Sequence, residues 1–190
     1  MSLSLGNIWK QNRIGTPTII SKAGLNNIMA VRQIEKNIPE LGTKRYWGRA
    51  TWFLFHTIAA RIDPEYYKHN FATIWDFIKE CCGNLPCPYC STHASNYLKT
   101  ITLSQINTKS KLERLFFDFH NTVNHRLGKK MFSWSEMQIY KKANIARIFI
   151  NFEHKFFRTY FGTREFSGWI RNQFRDKYNK FRSETSSHYV

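Results

Sequence analysis

The stretch Cys87-Pro88-Tyr89-Cys90 decides how the rest of this 190-residue chain is interpreted, because all four cysteines of the sequence lie between Cys81 and Cys90. A C-x-x-C at the start of a helix is a redox motif. The helix N-terminus stabilises a thiolate, and the two-residue gap lets the two sulfurs close a disulfide. The same spacing also binds metal ions, so the surrounding residues must decide between the two chemistries.

Composition favours a helical protein with a basic surface. Hydrophobic residues make up 42% and aromatic residues 16%, against only 9 glycines and 5 prolines, a balance that indicates a real core with few turns. The formal net charge of +16 predicts attraction to nucleic acid, anionic membranes or acidic proteins. A basic domain without any polyanion partner is the alternative. No secretory signal or membrane-spanning apolar run is expected from the sequence.

Helical periodicity surrounds the motif. A first helix is predicted over residues 46–62 and a second over 64–82, the latter capped by Asp63 and ended by Gly83 in a left-handed conformation. A third helix starts near residue 86 or 88 and runs to about 99, and a fourth covers 112–127 and ends at Gly128. Ser133 and Glu136 form a capping box that opens a short fifth helix. The fold class is therefore all-α.

Two segments flank this predicted core domain of residues 43–142. Residues 1–42 form an N-terminal extension with a short amphipathic helix over 27–37. Residues 143–190 form a basic and aromatic C-terminal extension with two helical patterns. Its last residues, 183–190, are polar and expected to be mobile.

Three fragments give the core domain a recognisable signature. They read Trp47-Gly48-Arg49-x-x-Trp52-x-x-x-His56, Cys87-x-x-Cys90-x-x-His93-x-x-x-Tyr97-Leu98 and His120-Asn121-x-Val123-Asn124-x-x-Leu127. In this order they resemble the Erv/ALR family of FAD-linked sulfhydryl oxidases, over roughly residues 46–140. The resemblance implies a four-helix bundle with a short fifth helix, FAD held in its mouth, and a homodimer formed through the first two helices.

The resemblance also implies a reaction. Cys87 would be the accessible sulfur that a substrate thiolate attacks, and Cys90 would face the flavin, which passes electrons to dioxygen and yields peroxide. Family members that shuttle electrons internally carry a second cysteine pair in a flexible tail, and this sequence has none outside residues 81–90. Thiol-containing proteins or a thioredoxin-like carrier should therefore deliver electrons directly to Cys87.

The matched positions also supply candidate cofactor-binding residues. In FAD, the pyrophosphate can be neutralised by a cation and the ring systems can stack on aromatic or histidine rings. The adenine and ribose edges can form hydrogen bonds with side-chain amides. The candidates are Arg49, Trp52, His56, His93, Tyr97, His120, Asn121, Val123, Asn124, Leu127 and, just past the fourth helix, Lys130. Without the resemblance, the tryptophans and His56 would be interpreted as core residues and the asparagines as residues of a helix surface.

The sequence departs from the family pattern around the fourth helix, where a structural cysteine pair of many members is missing. The adjacent Cys81 and Cys82 are interpreted as packing residues, with a redox role as the alternative, because neighbouring cysteines rarely form an unstrained disulfide. Small members without a shuttle resemble the versions of large cytoplasmic DNA viruses. That likeness implies a cytoplasmic protein, in the host cytoplasm and the virion.

Two other functions remain open from the residues alone. A zinc module could draw four ligands from Cys81, Cys82, Cys87, Cys90 and His93. A nucleic-acid-binding or virion structural protein could use the basic aromatic region of residues 141–182, in which cations would meet phosphates and aromatic rings would stack on bases. The alternative for that region is a pair of helices packed on the core, with aromatic residues inside and charges in solvent. A capsid contact through the same basic extensions is a further expectation.

Overall fold

The structure is a computed structural model that describes residues 43–159 and 168–190. The helices in these ranges are α1 (Lys44–Arg61), α2 (Pro64–Gly83), α3 (Pro88–Lys99), α4 (Lys109–Arg126), α5 (Gln138–Lys141), α6 (Ile145–Thr159) and α7 (Gly168–Thr185). Short 3₁₀ helices occur at Leu103–Gln105 and Trp134–Met137. The predicted all-α class is confirmed. The N-terminal extension and its predicted helix at 27–37 lie outside the described residues.

The starts of the helices follow from local capping chemistry. Asp63 accepts a hydrogen bond of 2.7 Å from the backbone N–H of Tyr66, and Pro64 occupies the first helical position of α2. This part of the prediction is confirmed. The capping box of Ser133 and Glu136 is present, but it opens the 3₁₀ helix, and α5 begins only at Gln138.

The two predicted glycine stops behave differently. Gly128, just after α4, has φ of 61°, and the N–H of Lys129 returns to the carbonyl of Asn124 at 2.9 Å. A residue with a β-carbon would be strained in this left-handed conformation. Gly83 is instead the last residue of α2, and Asn84 caps that helix with φ of −107°. The left-handed conformation predicted for Gly83 is therefore wrong.

Helix α1 is central to the packing, and it contacts α4, α5 and α6. Leu54, Phe55 and Ile58 on α1 are buried, and Trp47 meets Phe156 of α6 edge to face at 6.4 Å between centroids. Helix α1 also carries Arg49 and Trp52 of the first fragment. Its packing against α6 therefore fixes the position of one wall of the candidate site.

Helices α6 and α7 continue the same core. Phe181 of α7 stacks on Phe77 of α2 at 3.8 Å, and the Tyr178 hydroxyl donates to the carbonyl of Phe149 at 2.8 Å. The described ranges belong to one compact unit, and the boundary predicted at residue 142 stays a prediction. The aromatic residues of these helices that are buried are Phe149, Phe152, Phe156, Phe157, Phe174, Tyr178 and Phe181. These rings are core residues, so they are unavailable for stacking on nucleic-acid bases.

The last residues are docked onto the turn between α1 and α2. The N–H of Asp63 donates to the carbonyl of His188 at 2.8 Å, and that of Val190 donates to the carbonyl of Arg61 at 2.8 Å. The His188 ring stacks on Tyr66 at 3.8 Å. The predicted mobility of residues 183–190 is therefore wrong, because backbone hydrogen bonds join this segment to the turn between α1 and α2. Within the described residues, no helix combines the length and apolar character needed to cross a membrane.

Candidate active site

The C-x-x-C motif forms a disulfide at the start of α3. Cys87 and Cys90 are bonded with their Cα atoms 5.1 Å apart. Cys87 is the N-cap of α3, and its sulfur accepts a hydrogen bond of 3.2 Å from the N–H of Cys90. The positive end of a helix dipole favours a thiolate, so reduction of this disulfide leaves sulfurs poised for exchange.

A cavity of about 600 Å³ opens beside this disulfide. Its walls come mainly from α1, α3 and α4, and its size is typical of a small-molecule site. Cys90 belongs to the cavity wall and Cys87 does not. Only one residue of this disulfide thus contributes to the cavity wall, an asymmetry that suits a relay between a substrate outside and an acceptor inside.

Aromatic rings line much of this cavity. Trp52 of α1 stacks on His120 of α4 with ring centroids 4.1 Å apart, and it meets Phe119 edge to face at 5.2 Å. Tyr97 of α3 stacks on the same Phe119 ring, with ring centroids 4.5 Å apart. Flat rings held by their neighbours make a rigid wall, which suits a planar aromatic ligand.

His56 supports this wall from behind. It is fully buried, and its Nε2 lies 3.0 Å from Nδ1 of His120. Burial, followed by the nearby His120, lowers the pKa of His56 to about 3. Burial, followed by the charge of Lys129, lowers the pKa of His120 to about 4. Both rings are therefore neutral at physiological pH, and one must donate to the other.

An unpaired ring nitrogen of His56 indicates which tautomer each histidine of the pair adopts. Nδ1 of His56 is buried and has no hydrogen-bond partner within residues 43–159 and 168–190. A buried N–H without an acceptor is rarer than a bare acceptor, which favours the proton on Nε2 of His56. That N–H then donates to Nδ1 of His120, and His120 keeps its own proton on Nε2.

Among the residues that the structure describes, five cations and no carboxylate belong to the cavity wall. The cations are Lys44, Arg45, Arg49, Arg126 and Lys129. Burying even part of an anion needs such compensation, so the wall fits a ligand with a pyrophosphate as well as flat rings. FAD has both, and the donor set of the cavity therefore fits the cofactor that the resemblance implied.

The two asparagines of the third fragment have different positions. Asn124 belongs to the cavity wall. Asn121 is buried away from it, where its amide N–H donates to the carbonyl of Phe132 at 2.9 Å and its amide oxygen accepts from the N–H of Phe132 at 2.7 Å. Asn121 therefore holds the loop after α4 and is not on the cavity wall, so this geometry does not support the predicted contact between its amide and an adenine or ribose edge.

Most of the predicted cofactor residues come together. Those on the cavity wall are Arg49, Trp52, His93, Tyr97, His120, Val123, Asn124 and Leu127. His56, Asn121 and Lys130 are not on it. His56 lies behind His120, and Lys130 is exposed two residues beyond the left-handed Gly128, after Lys129, which does reach the wall.

Sequence reasoning missed several wall residues. Arg45 precedes Arg49 by one helical turn, and Arg126 and Lys129 flank the end of α4, so helical spacing could have indicated them. Tyr140 on α5 reaches the wall from a different element and stacks on His56 at 4.6 Å. No spacing in the sequence links those two residues.

Cys81 and Cys82 are free thiols inside the core. They are 0% and 1% exposed, and burial raises the pKa of both. A buried neutral thiol is unreactive, in line with their interpretation as packing residues. In the disulfide-bonded state Cys87 and Cys90 do not offer the free thiolates that the zinc alternative requires.

Comparison with known proteins places this site in a family. The model of the Erv1/Alr family matches residues 49–144. A protein of Invertebrate iridescent virus 6 named "Putative FAD-linked sulfhydryl oxidase 347L" is 36% identical over 95 residues, which cover 45% of this chain and 82% of that protein. The African swine fever virus protein named "FAD-linked sulfhydryl oxidase" is 34% identical over 105 residues, which cover 54% of this chain and 87% of that protein.

A plant protein is similar over a smaller share of its length. "FAD-linked sulfhydryl oxidase ERV1" of Oryza sativa subsp. japonica is 32% identical over 90 residues, or 47% of this chain and 46% of that protein. No solved structure matches the chain. The matched residues 49–144 contain the disulfide and most of the cavity wall, and the chain therefore belongs to the Erv1/Alr family.

Proposed function

We propose that this enzyme, an FAD-linked sulfhydryl oxidase, takes electrons from substrate thiols at Cys87 and delivers them to its cofactor from Cys90. The observation that carries this assignment is the asymmetry of the disulfide. Cys90 belongs to the wall of the cavity that fits FAD, whereas Cys87 does not. Cys87 is half-buried, and a partner protein would attack its sulfur from outside the cavity.

The exchange steps conserve atoms and electrons. A substrate thiolate attacks the sulfur of Cys87, which forms a mixed disulfide and breaks the Cys87–Cys90 bond, so that Cys90 leaves as a thiolate. A second substrate thiolate then displaces Cys87. Two substrate thiols become one disulfide, and the enzyme pair gains two electrons and two protons. FAD, when bound, supplies the acceptor for these two electrons, and dioxygen takes them to give hydrogen peroxide.

Residues of the chain supply the leaving-group stabilisation and the positioning. The N-terminus of α3, with the N–H of Cys90 3.2 Å from the sulfur of Cys87, stabilises negative charge on that sulfur. Arg49 and the other wall cations would hold the pyrophosphate. Trp52 and Tyr97 would hold the ring systems, and His56 would act through His120.

Partners and location follow from the same reasoning. All cysteines lie between Cys81 and Cys90, so electrons would come straight from thiol-containing proteins or from a thioredoxin-like dithiol carrier. The viral relatives support a role in the host cytoplasm and the virion. A homodimer through α1 and α2 stays a prediction, and it must use surface that α6 and α7 leave free, since both pack on these helices.

The test is the absorption spectrum and oxygen consumption of purified protein before and after dithiothreitol is added under air. We expect a flavin spectrum that bleaches and recovers. Cys87→Ser and Cys90→Ser should each abolish dithiol-dependent oxygen consumption and keep FAD bound, whereas the matched control Cys81→Ala should retain both. Wild-type turnover in either serine variant would refute the assignment.

A further inference from the structure

Three side chains outside the cavity form a cluster that joins α4 to the segment after it. Trp134 lies in the 3₁₀ helix Trp134–Met137 and meets Phe117 of α4 edge to face, with ring centroids 5.1 Å apart. The Arg114 guanidinium lies over both rings, 5.5 Å from the centroid of Phe117 and 5.9 Å from that of Trp134. Arg114, Phe117 and Trp134 are called the Trp134 cluster, and none of them belongs to the cavity wall.

Neighbouring hydrogen bonds hold both sides of the Trp134 cluster in place. On α4, Nε of Arg114 donates to a carboxylate oxygen of Asp118 at 3.0 Å, which orients the guanidinium. On the other side, the N–H of Ser133 donates to Glu136 at 2.7 Å at the start of the 3₁₀ helix. Trp134 is still 46% exposed, so its main attraction is to the ring and the cation that it contacts. Trp134 therefore fastens the segment to the outside of α4.

Ring contacts continue from the Trp134 cluster to the cavity wall. The ring of Phe117 also contacts that of Phe132, with centroids 6.2 Å apart. Phe132 in turn lies 5.0 Å from the ring of His120 and 5.4 Å from that of His56. His120 belongs to the cavity wall. A continuous line of rings therefore runs from the exposed Trp134 to a ring of the cofactor site.

The segment that Trp134 fastens also carries wall residues at its two ends. Lys129 precedes Trp134 in the sequence and Tyr140 follows it, and both belong to the cavity wall. The two hydrogen bonds between Asn121 and Phe132 attach the same segment to α4 at a second point. Detachment of its middle would therefore disturb one side of the wall without unfolding the whole molecule.

We propose that the residues of the Trp134 cluster are positioning residues for the cofactor site, and that they set the rate at which FAD dissociates. This inference rests on the cofactor assignment in the proposed function. With the cluster intact, the segment stays on α4 and Phe132 stays behind His120. When the contacts of Trp134 are lost, Asn121 still attaches Phe132, but the segment detaches more often. FAD then leaves through the side of the wall that has opened.

The test is the rate of FAD release from purified, flavin-loaded protein, followed by the rise in flavin fluorescence after strong dilution. We expect Trp134→Ala to release FAD about tenfold faster than the wild type, because an edge-to-face ring pair and an exposed cation–π contact are lost together. Trp134→Phe keeps a ring in this place and should retain most of the wild-type behaviour. The circular dichroism of the bound flavin should change in Trp134→Ala and stay close to that of the wild type in Trp134→Phe.

Two controls separate positioning from exposed aromatic surface and from global stability. Trp169→Ala removes a tryptophan that is 68% exposed at the start of α7, and it should leave FAD release unchanged. Ile74→Val shortens a buried side chain on α2, and it should lower stability against denaturant without faster release. The inference is wrong if Trp134→Ala releases FAD at the wild-type rate, or if Ile74→Val accelerates release as much as Trp134→Ala does.

Arg114→Gln tests whether the three side chains act as one unit. It removes the cation and leaves both rings, so we expect FAD release about threefold faster than in the wild type. In the Trp134→Ala background the same substitution should have little further effect, because its partner is already gone. Fully multiplicative effects in the double variant would contradict the cluster.

Failure of this inference and failure of the proposed function give different results. Protein that holds FAD but does not oxidise dithiothreitol under air would refute the proposed function alone. Protein that oxidises dithiothreitol normally, with equal FAD release in the wild type and in Trp134→Ala, would refute this inference alone.

Discussion

Asn121 and Asn124 lie three residues apart on α4 and have separate roles. Asn121 makes two hydrogen bonds to the backbone of Phe132, while Asn124 belongs to the cavity wall. We expect Asn121→Ala to lower the free energy of unfolding by about 1–3 kcal/mol, because it leaves buried backbone groups unpaired. Asn124→Ala should leave stability nearly unchanged and weaken FAD binding about tenfold, the equivalent of one lost hydrogen bond.

Chemical denaturation and flavin titration distinguish the two outcomes. Each asparagine variant serves as the control for the other, since both remove the same amide. Equal loss of FAD affinity in both variants would contradict the separate roles and would return Asn121 to the cofactor-binding set.

The histidine pair predicts how stability depends on pH. The folded-state pKa values of about 3 for His56 and about 4 for His120 lie below the ordinary 6.5. Below pH 6.5 the unfolded chain therefore binds protons that the folded chain does not, and stability falls as the pH drops towards 4. Above pH 6.5 both states are neutral and this dependence disappears. For His120 alone the loss is on the order of 3 kcal/mol.

Denaturant unfolding at pH 7 and pH 5 checks this dependence on protein saturated with FAD. His56→Gln should lose less stability between the two pH values than the wild type, even if it is less stable at pH 7. The exposed His125 offers the control His125→Gln, which should follow the wild type. An equal acid loss in His56→Gln and wild type would contradict the buried neutral pair.

Motif spacing was enough to find most single residues of the site, and its failures have a common cause. The three fragments brought together Arg49, Trp52, Tyr97 and His120 because helical spacing puts residues of one fragment on one face. For Asn121 the decisive partner is Phe132, in a loop whose position depends on the tertiary fold. Spacing along one helix holds no information about such a partner.

Helix α1 connects the C-terminal helices to the cofactor site. One of its faces carries Arg49 and Trp52, and Trp47 packs on the buried Phe156 of α6. We expect Phe156→Ala to lower the free energy of unfolding by about 3–5 kcal/mol and to lower FAD retention, because α1 loses its support. Ile150→Ala, on the same helix but 55% exposed, should change stability by less than about 0.5 kcal/mol.

Thermal unfolding and the ratio of flavin to protein absorbance measure both effects. If Phe156→Ala keeps its flavin and its stability, α6 is an appendage and the boundary predicted at residue 142 describes the folding unit. Amphipathic patterns predicted the helices themselves well. They could not predict that α6 packs on α1. An apolar stripe shows that one face of a helix is buried, but it does not show which other helix covers that face.

The charge of the whole molecule suggests a general attraction to polyanions. The net charge is +16, but the aromatic residues of α6 and α7 that could stack on bases are buried. We expect binding to single-stranded DNA that is independent of sequence, with log K falling linearly as log salt rises. Fluorescence anisotropy with two unrelated oligonucleotides at several salt concentrations measures it. Tight, salt-resistant binding to one of them would favour the nucleic-acid alternative.

The buried thiols of Cys81 and Cys82 can be used to follow the unfolding of the protein. After reduction, an alkylating reagent should modify two thiols in the folded enzyme and four once the chain has unfolded, since the other two are shielded by the core. Mass spectrometry of intact, pulse-labelled protein would then count folded and open molecules as two separate masses. No dye or engineered probe is needed to follow unfolding in a crude mixture.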